Sequence, residues 1–150
     1  MSALSYDVVI IGGGPAGMAA ALASRKQGAK TLILERDVRL GGILNQCIHQ
    51  GFGLHYFGEE MTGPEYADRF RKMVEAEDID VMLESMVLSL DENKEVKVLS
   101  PTQGFCSIKA GAVVLAMGCR ERTAGAIALP GTRPAGVYTA GMAQKICILD

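Results

Sequence analysis

The residues of this sequence best suited to chemistry are a glycine triplet, one acid and a few isolated thiol and imidazole side chains. Gly12-x-Gly14-x-x-Gly17 has the spacing of a diphosphate-binding turn. Gly12 permits the tight turn, Gly14 lets a pyrophosphate approach the backbone, and Gly17 lets a helix pack closely on a strand. Pro15 and Ala16 open that helix, whose first N–H groups lack partners and present a dipole charge of roughly +0.5 to a bound phosphate. Glu35 lies 23 positions beyond Gly12. A carboxylate there accepts hydrogen bonds from both hydroxyls of an adenosine ribose and repels a 2′-phosphate. Cys47 and His49 are the catalytic candidates, with His55 as a second histidine. Each has a plainer reading, since free Cys is commonly packed in the interior and an unpartnered loop histidine serves as readily as a surface hydrogen-bonding group. No metal site is expected, because the four cysteines (Cys47, Cys106, Cys119, Cys147) show no C-x-x-C spacing.

These residues need a scaffold, and the hydrophobic pattern supplies one. Val8-Val9-Ile10-Ile11 is a continuous β-branched run, as in a parallel strand buried on both faces. Gly12-Gly13-Gly14-Pro15 ends it. A helix follows from Pro15 to about Gln27, with Ala16, Ala19, Ala20 and Ala23 on one face, Arg25 and Lys26 in its last turn and Gly28 as a left-handed cap. Thr31–Leu34 is a second strand, so residues 7–35 make a βαβ unit. Residues 36–61 have no steady period and read as a long irregular segment with one helical turn at most, the kind of loop that is often functional. Thr62-Gly63-Pro64-Glu65 has capping-box spacing and opens a helix with Tyr66, Phe70, Met73 and Val74 on one face. Ile79–Leu83 is a third strand. Stretches near 85–90, 95–100 and 104–109, separated by polar turns, predict an antiparallel meander. Ala112–Ala116 is a further apolar strand closed by Gly118, and residues 120–150 read as a crossing segment without a compact element.

Bulk composition narrows the partners. With 49% hydrophobic and 21% charged residues, the chain is ordinary globular protein. A net charge of −2 gives no general attraction for nucleic acid or anionic lipid, so any phosphate must be held by local geometry. No run approaches the ~18 apolar residues of a membrane span, and the N-terminus lacks a signal-peptide pattern. The cytoplasm is the expected compartment. Glycine, at 18 of 150 residues, exceeds the usual share, and the excess falls in the turns named above.

The motif alone does not separate FAD from NAD. Tyr6–Glu35, with its Gly-Gly-Gly-Pro-Ala-Gly, resembles the FAD fingerprint of the glutathione-reductase-like flavoproteins, the pyridine nucleotide-disulfide oxidoreductase superfamily. Gly41-Gly42 stands where that family wraps the pyrophosphate and ribityl chain. The meander matches the sheet that the family inserts and plain NAD domains lack. Val114-Leu115-Ala116-Met117-Gly118 resembles the family's Ala-Thr-Gly strand end, with Met117 in place of Thr.

The resemblance implies an α/β fold: a Rossmann-like parallel sheet of order 3-2-1-4 with the edge strand missing, helices on one face and the three-stranded meander on the other. It implies an N-terminal part of an FAD-binding domain over 1–119 and a crossing segment over 120–150 toward a missing nicotinamide domain. It further implies FAD as cofactor, with NAD(P)H acting through that other domain. Gly12, Gly14, Pro15, Ala16 and Gly17 would hold the pyrophosphate, with Glu35 and its neighbour Arg36 at the ribose. Gly41 and Gly42 would border the ribityl chain, the Val87 backbone the adenine, and Ala116 and Gly118 the flavin side. A chain ending here would fold but bind FAD weakly, lacking the carboxylate that holds the ribityl chain.

One departure bears on mechanism. Disulfide reductases of this kind carry C-x-x-x-x-C after the Gly-Gly, whereas Cys47 is followed by Phe52 at the second position, so a dithiol relay through this segment is not expected. The run Leu40–Cys47 is similar to FAD-dependent oxidoreductases that accompany glycerol-3-phosphate dehydrogenase-like proteins, which implies a partner protein of that kind. An NAD-dependent dehydrogenase, or a nucleotide-binding module without flavin chemistry, is the alternative reading.

Overall fold

The computed structural model describes residues 4–132 and 134–149. The first apolar run forms β1 (Leu4–Ile11), the glycine turn leads into α1 (Pro15–Lys26), and β2 (Thr31–Leu34) closes the βαβ unit. A 3-10 turn (Gly42–Gln46), β3 (Gln50–Phe52), the single-turn α2 (Leu54–Phe57) and β4 (Met61–Thr62) precede α3 (Gly63–Ala76). Then come β5 (Asp80–Met82), β6 (Met86–Leu90), β7 (Glu95–Ser100), β8 (Gly104–Leu115) and α4 (Ala140–Leu149). Two units result, Met1–Met117 and Gly118–Asp150.

The large sheet runs β5-β2-β1-β8-β7-β6. Its first four strands are parallel neighbours, the expected 3-2-1-4 order, and β8-β7-β6 is the expected antiparallel meander. Strand identity explains the placement. Val9, Ile10, Leu32 and Ile33 have no exposed surface, because β1 and β2 are covered on both faces. Successive side chains point to opposite sides. Ile10 and Ile33 therefore meet Met18 and Ala21 of α1 and Phe70 and Val74 of α3, while Val9, Ile11, Leu32 and Leu34 meet Val96 and Val98 of β7 and Ile108 of β8. Helices thus cover one face and the meander the other.

Three sequence expectations need correcting, and one helix face is defined only by the structure. The stretches 104–109 and 112–116 are not two strands but the single β8, whose first half pairs with β7 and whose second half pairs with β1. At Gly111, between the two stretches, a Cβ would stand 2.7 Å from the Asp7 carbonyl oxygen, so glycine there permits close approach to β1. The alanine face of α1 is not its buried face. Gly17, Met18 and Ala21 are buried, whereas Ala16, Ala19 and Ala23 are exposed. Residues 36–61 hold more order than one turn, since β3 pairs with β4 and α2 brings Tyr56 and Phe57 onto Tyr66 and Phe70 of α3. Finally, the tail read as lacking a compact element carries the ten-residue α4.

Candidate functional site

The site is assembled at the C-terminal ends of β1 and β2. The β1 backbone leaves Ile11 and turns at Gly12, where φ is +106°. Gly12 N–H donates to the Leu34 carbonyl at 2.8 Å, and Ala116 N–H donates to the Ile11 carbonyl at 2.8 Å, which ties the turn to both neighbouring strands. A Cβ on Gly12 would strike the Ala116 carbonyl, and one on Gly17 would strike the Gly12 carbonyl. Both glycines are there for closeness. Gly14 differs: a Cβ there would meet nothing within 4 Å, so its side faces open space.

Gly14 is also the N-cap of α1, with Pro15 in the first turn, no side-chain cap and no acidic residue in that turn. The Ala16 and Gly17 amides, among the orphan donors of any helix start, are therefore left for something other than a capping side chain. An anion fits such a start, since donors and dipole act together there.

Glu35 closes β2 and is only 7% exposed. Its Oε2 accepts from Gly13 N–H at 2.6 Å and its Oε1 from Asp37 N–H at 2.8 Å. The acid thus bends the glycine turn onto β2 as well as lying beside it. A carboxylate has roughly four acceptor sites, so two amides leave capacity for a ligand's hydroxyls. The Glu35 carbonyl accepts from Ser85 N–H at 2.8 Å, which brings the start of β6, with the half-buried Val87, alongside the same strand end. Arg36 is exposed.

The Gly41–Gly42 turn lies on this assembly. Gly41, at φ +119°, donates its N–H to the Gly13 carbonyl at 2.8 Å, and a Cβ on Gly42 would stand 3.1 Å from Gly14 Cα. Two glycine segments far apart in sequence are therefore stacked backbone to backbone. Sequence reasoning missed what holds the second. Buried Asn45 donates its Nδ2 to the Leu40 carbonyl at 3.1 Å, and Arg71 of α3 donates to that carbonyl at 3.1 Å and to Asn45 Oδ1 at 3.3 Å. The polar pair Asn45-Gln46 directly after an apolar Ile43-Leu44 was the one local signal. Nothing local points to Arg71, 26 positions further on.

Cys47 is half-buried, and its carbonyl accepts from Gly63 N–H at 2.8 Å. His49 is exposed, with Nδ1 2.9 Å from the Gln50 carbonyl and its ring beside Phe52. His55 is exposed on α2. Gly118 begins the second unit. Among the described residues no group of three or more His, Cys, Asp or Glu side chains is placed to hold a metal ion. No helix among them is long and apolar enough to cross a membrane.

Fold and site together define a dinucleotide-binding α/β domain with an inserted meander. Residues 6–140 match the family model of the pyridine nucleotide-disulphide oxidoreductases, and the chain belongs to that family. It is 31% identical over 147 residues to the hydrogen cyanide synthase subunit HcnB of Pseudomonas protegens, which covers 94% of this chain and 30% of that protein. An opine oxidase subunit from Rhizobium meliloti is 34% identical over 148 residues, covering 93% and 27%. A solved thioredoxin reductase from Streptococcus pyogenes superposes with a TM-score of 0.66 at 28% identity, over 81% of this chain and 38% of that one. The chain thus spans about a third of the length of the relatives it matches. The family is one of FAD-binding, NAD(P)H-using oxidoreductases.

Proposed function

We propose that this chain is the FAD-binding portion of an oxidoreductase that passes electrons between NAD(P)H and an acceptor through bound flavin. The observation that carries the reading is the uncapped start of α1, open at Gly14 and faced by the positive-φ turn at Gly41–Gly42. In this reading Gly12, Gly14, Pro15, Ala16 and Gly17 hold the pyrophosphate, chiefly through the Ala16 and Gly17 amides. Glu35 takes the ribose hydroxyls on the capacity its two backbone bonds leave free, and its charge disfavours a 2′-phosphate. Arg36 flanks that ribose from solvent. Gly41 and Gly42 border the ribityl chain, Val87 the adenine, and Ala116 and Gly118 the flavin side. Residues 1–119 form the FAD-binding part, and 120–150 lead toward a nicotinamide-binding domain.

When bound, the flavin supplies the hydride and electron chemistry; the protein supplies binding, orientation and electrostatics. Cys47 stands without a second cysteine at position 52, so this segment offers packing or a single thiol, not a dithiol relay. Two of the relatives are named as subunits of an oxidase and a synthase. We accordingly assign this chain to one subunit of a multi-subunit oxidoreductase, with a glycerol-3-phosphate dehydrogenase-like protein as the partner implied by the Leu40–Cys47 run. The cytoplasm is its proposed compartment.

Absorbance of the purified full chain tests the reading. A flavin band near ~450 nm that is lost on reduction is expected. A protein that carries a nucleotide but shows no such band contradicts it.

A further inference from the structure

The FAD reading concerns groups that would touch the cofactor; the structure also shows what holds one of them, the Gly41–Gly42 turn, in place. Leu40, Gly41 and Gly42 reach the glycine turn from a segment with little regular structure of its own, and Gly41 and Gly42 sit at φ +119° and +53°. Gly41 and Asn45 are mutually fitted, since a Cβ on Gly41 would stand 2.7 Å from Asn45 Oδ1. The Leu40 carbonyl, immediately before this turn, accepts two hydrogen bonds, from Asn45 Nδ2 and Arg71 Nη1, each at 3.1 Å. Arg71 Nη1 also donates to Asn45 Oδ1 at 3.3 Å. The three groups close a triangle that spans the loop and α3. Arg71 Nη2 donates to Asp68 at 3.2 Å, and the Arg71 side chain is 25% exposed. Its charge is therefore paired within α3, and what remains for the loop is geometry.

We propose that Asn45 and Arg71 are positioning residues for the cofactor: they lock the Leu40–Gly42 backbone against Gly13 and Gly14, so that both glycine segments present one ready-made surface to FAD. This rests on the FAD reading above. Asn45 suits the task because one amide gives a donor to Leu40 and an acceptor to Arg71. Arg71 suits it because a planar guanidinium serves several acceptors from fixed directions, which an ammonium does not. Ordering the turn before the ligand arrives removes an entropic cost that would otherwise weaken binding.

Calorimetric titration of the full chain with FAD, and separately with AMP, tests this. AMP carries the adenosine end but not the ribityl half that Gly41 and Gly42 would border. Asn45→Ala and Arg71→Met are expected to weaken FAD binding roughly tenfold, ~1.4 kcal/mol, while AMP changes less than about twofold. Arg71→Lys keeps the charge and the fold, and it should show the same split with a smaller FAD loss. Equal losses for both nucleotides would mark a general packing role and overturn the proposal, as would unchanged FAD binding in all three variants. A wild-type chain that binds neither nucleotide overturns the flavin reading itself and the clamp with it. That result is distinct from a wild type that binds both and variants that match it.

Discussion

Helices α1 and α3 start from similar materials: 12 and 14 residues long, each with Pro in the first turn, each packed on the same face of the sheet. Their first turns are finished in opposite ways. At α3 the Thr62 hydroxyl accepts from Glu65 N–H, while Glu65 accepts from Thr62 N–H at 2.8 Å, a complete capping box with an acid at the positive end of the dipole. At α1 the cap is glycine, no side chain answers, and no acid lies in the first turn. The orphan amides that a side chain answers at one helix are left uncapped at the other, where the proposed FAD site lies. Stability and binding are therefore separable in this molecule by which helix start is altered.

Substitutions can break or sharpen that contrast. The largest effect is expected from Gly17→Ala, whose Cβ would fall on the Gly12 carbonyl and force α1 off β1. Overpacking of backbone against backbone predicts a loss of about 3 kcal/mol in chemical denaturation, together with loss of flavin. A variant as stable as wild type would show that the two elements are not in contact as described. Thr62→Ala at the other helix should cost about 1 kcal/mol with the FAD dissociation constant unchanged. If flavin affinity fell as well, the two helix starts would not be independent.

A smaller effect concerns pH. The Thr62 backbone N–H, and then its hydroxyl, hold the Glu65 carboxyl below its ordinary value of 4.5. A depressed folded-state pKa contributes stability that is present above the unfolded value and is lost as pH falls through the folded one. The part of the gap between wild type and Thr62→Ala that comes from the hydroxyl should therefore shrink as pH falls below the ordinary carboxyl value of 4.5 and through the depressed one. Denaturation midpoints for the pair at several acidic pH values check this. Because Thr62→Ala keeps the backbone N–H, a gap independent of pH would mean that the Thr62 hydroxyl has no part in lowering Glu65.

Much of this was readable without coordinates, and the pattern of what was not is physical. Local rules found β1, the glycine turn, β2 and the Thr62 capping box, because each is set by neighbours within a few residues. The buried β-branched runs marked individual strands, while their 3-2-1-4 order came from the family resemblance. Strand β8 was misread as two, and the reason for the Gly111 between them lies across the sheet at Asp7. The inward face of α1 is not marked by its alanine face, since small residues surround the helix on several sides and α3 and β1 choose which of them are covered. Glu35 stands out in the sequence by its place at the end of β2, but its grip on Gly13 and Asp37 is a tertiary fact. The Asn45–Arg71 link was out of reach, since its partners belong to elements that no periodicity connects.

The central claim is that the open side of the α1 start is where FAD's diphosphate lies, and Gly14→Ala interrogates it most directly. Gly14 has φ −73° and a Cβ there meets no protein atom within 4 Å, so the fold should change by less than about 1 kcal/mol. The same methyl would stand in the ligand's space. FAD titration of the Gly14→Ala chain is expected to give a dissociation constant at least about tenfold above wild type at near-normal stability. A well-folded Gly14→Ala chain that binds FAD as tightly as wild type would contradict the account.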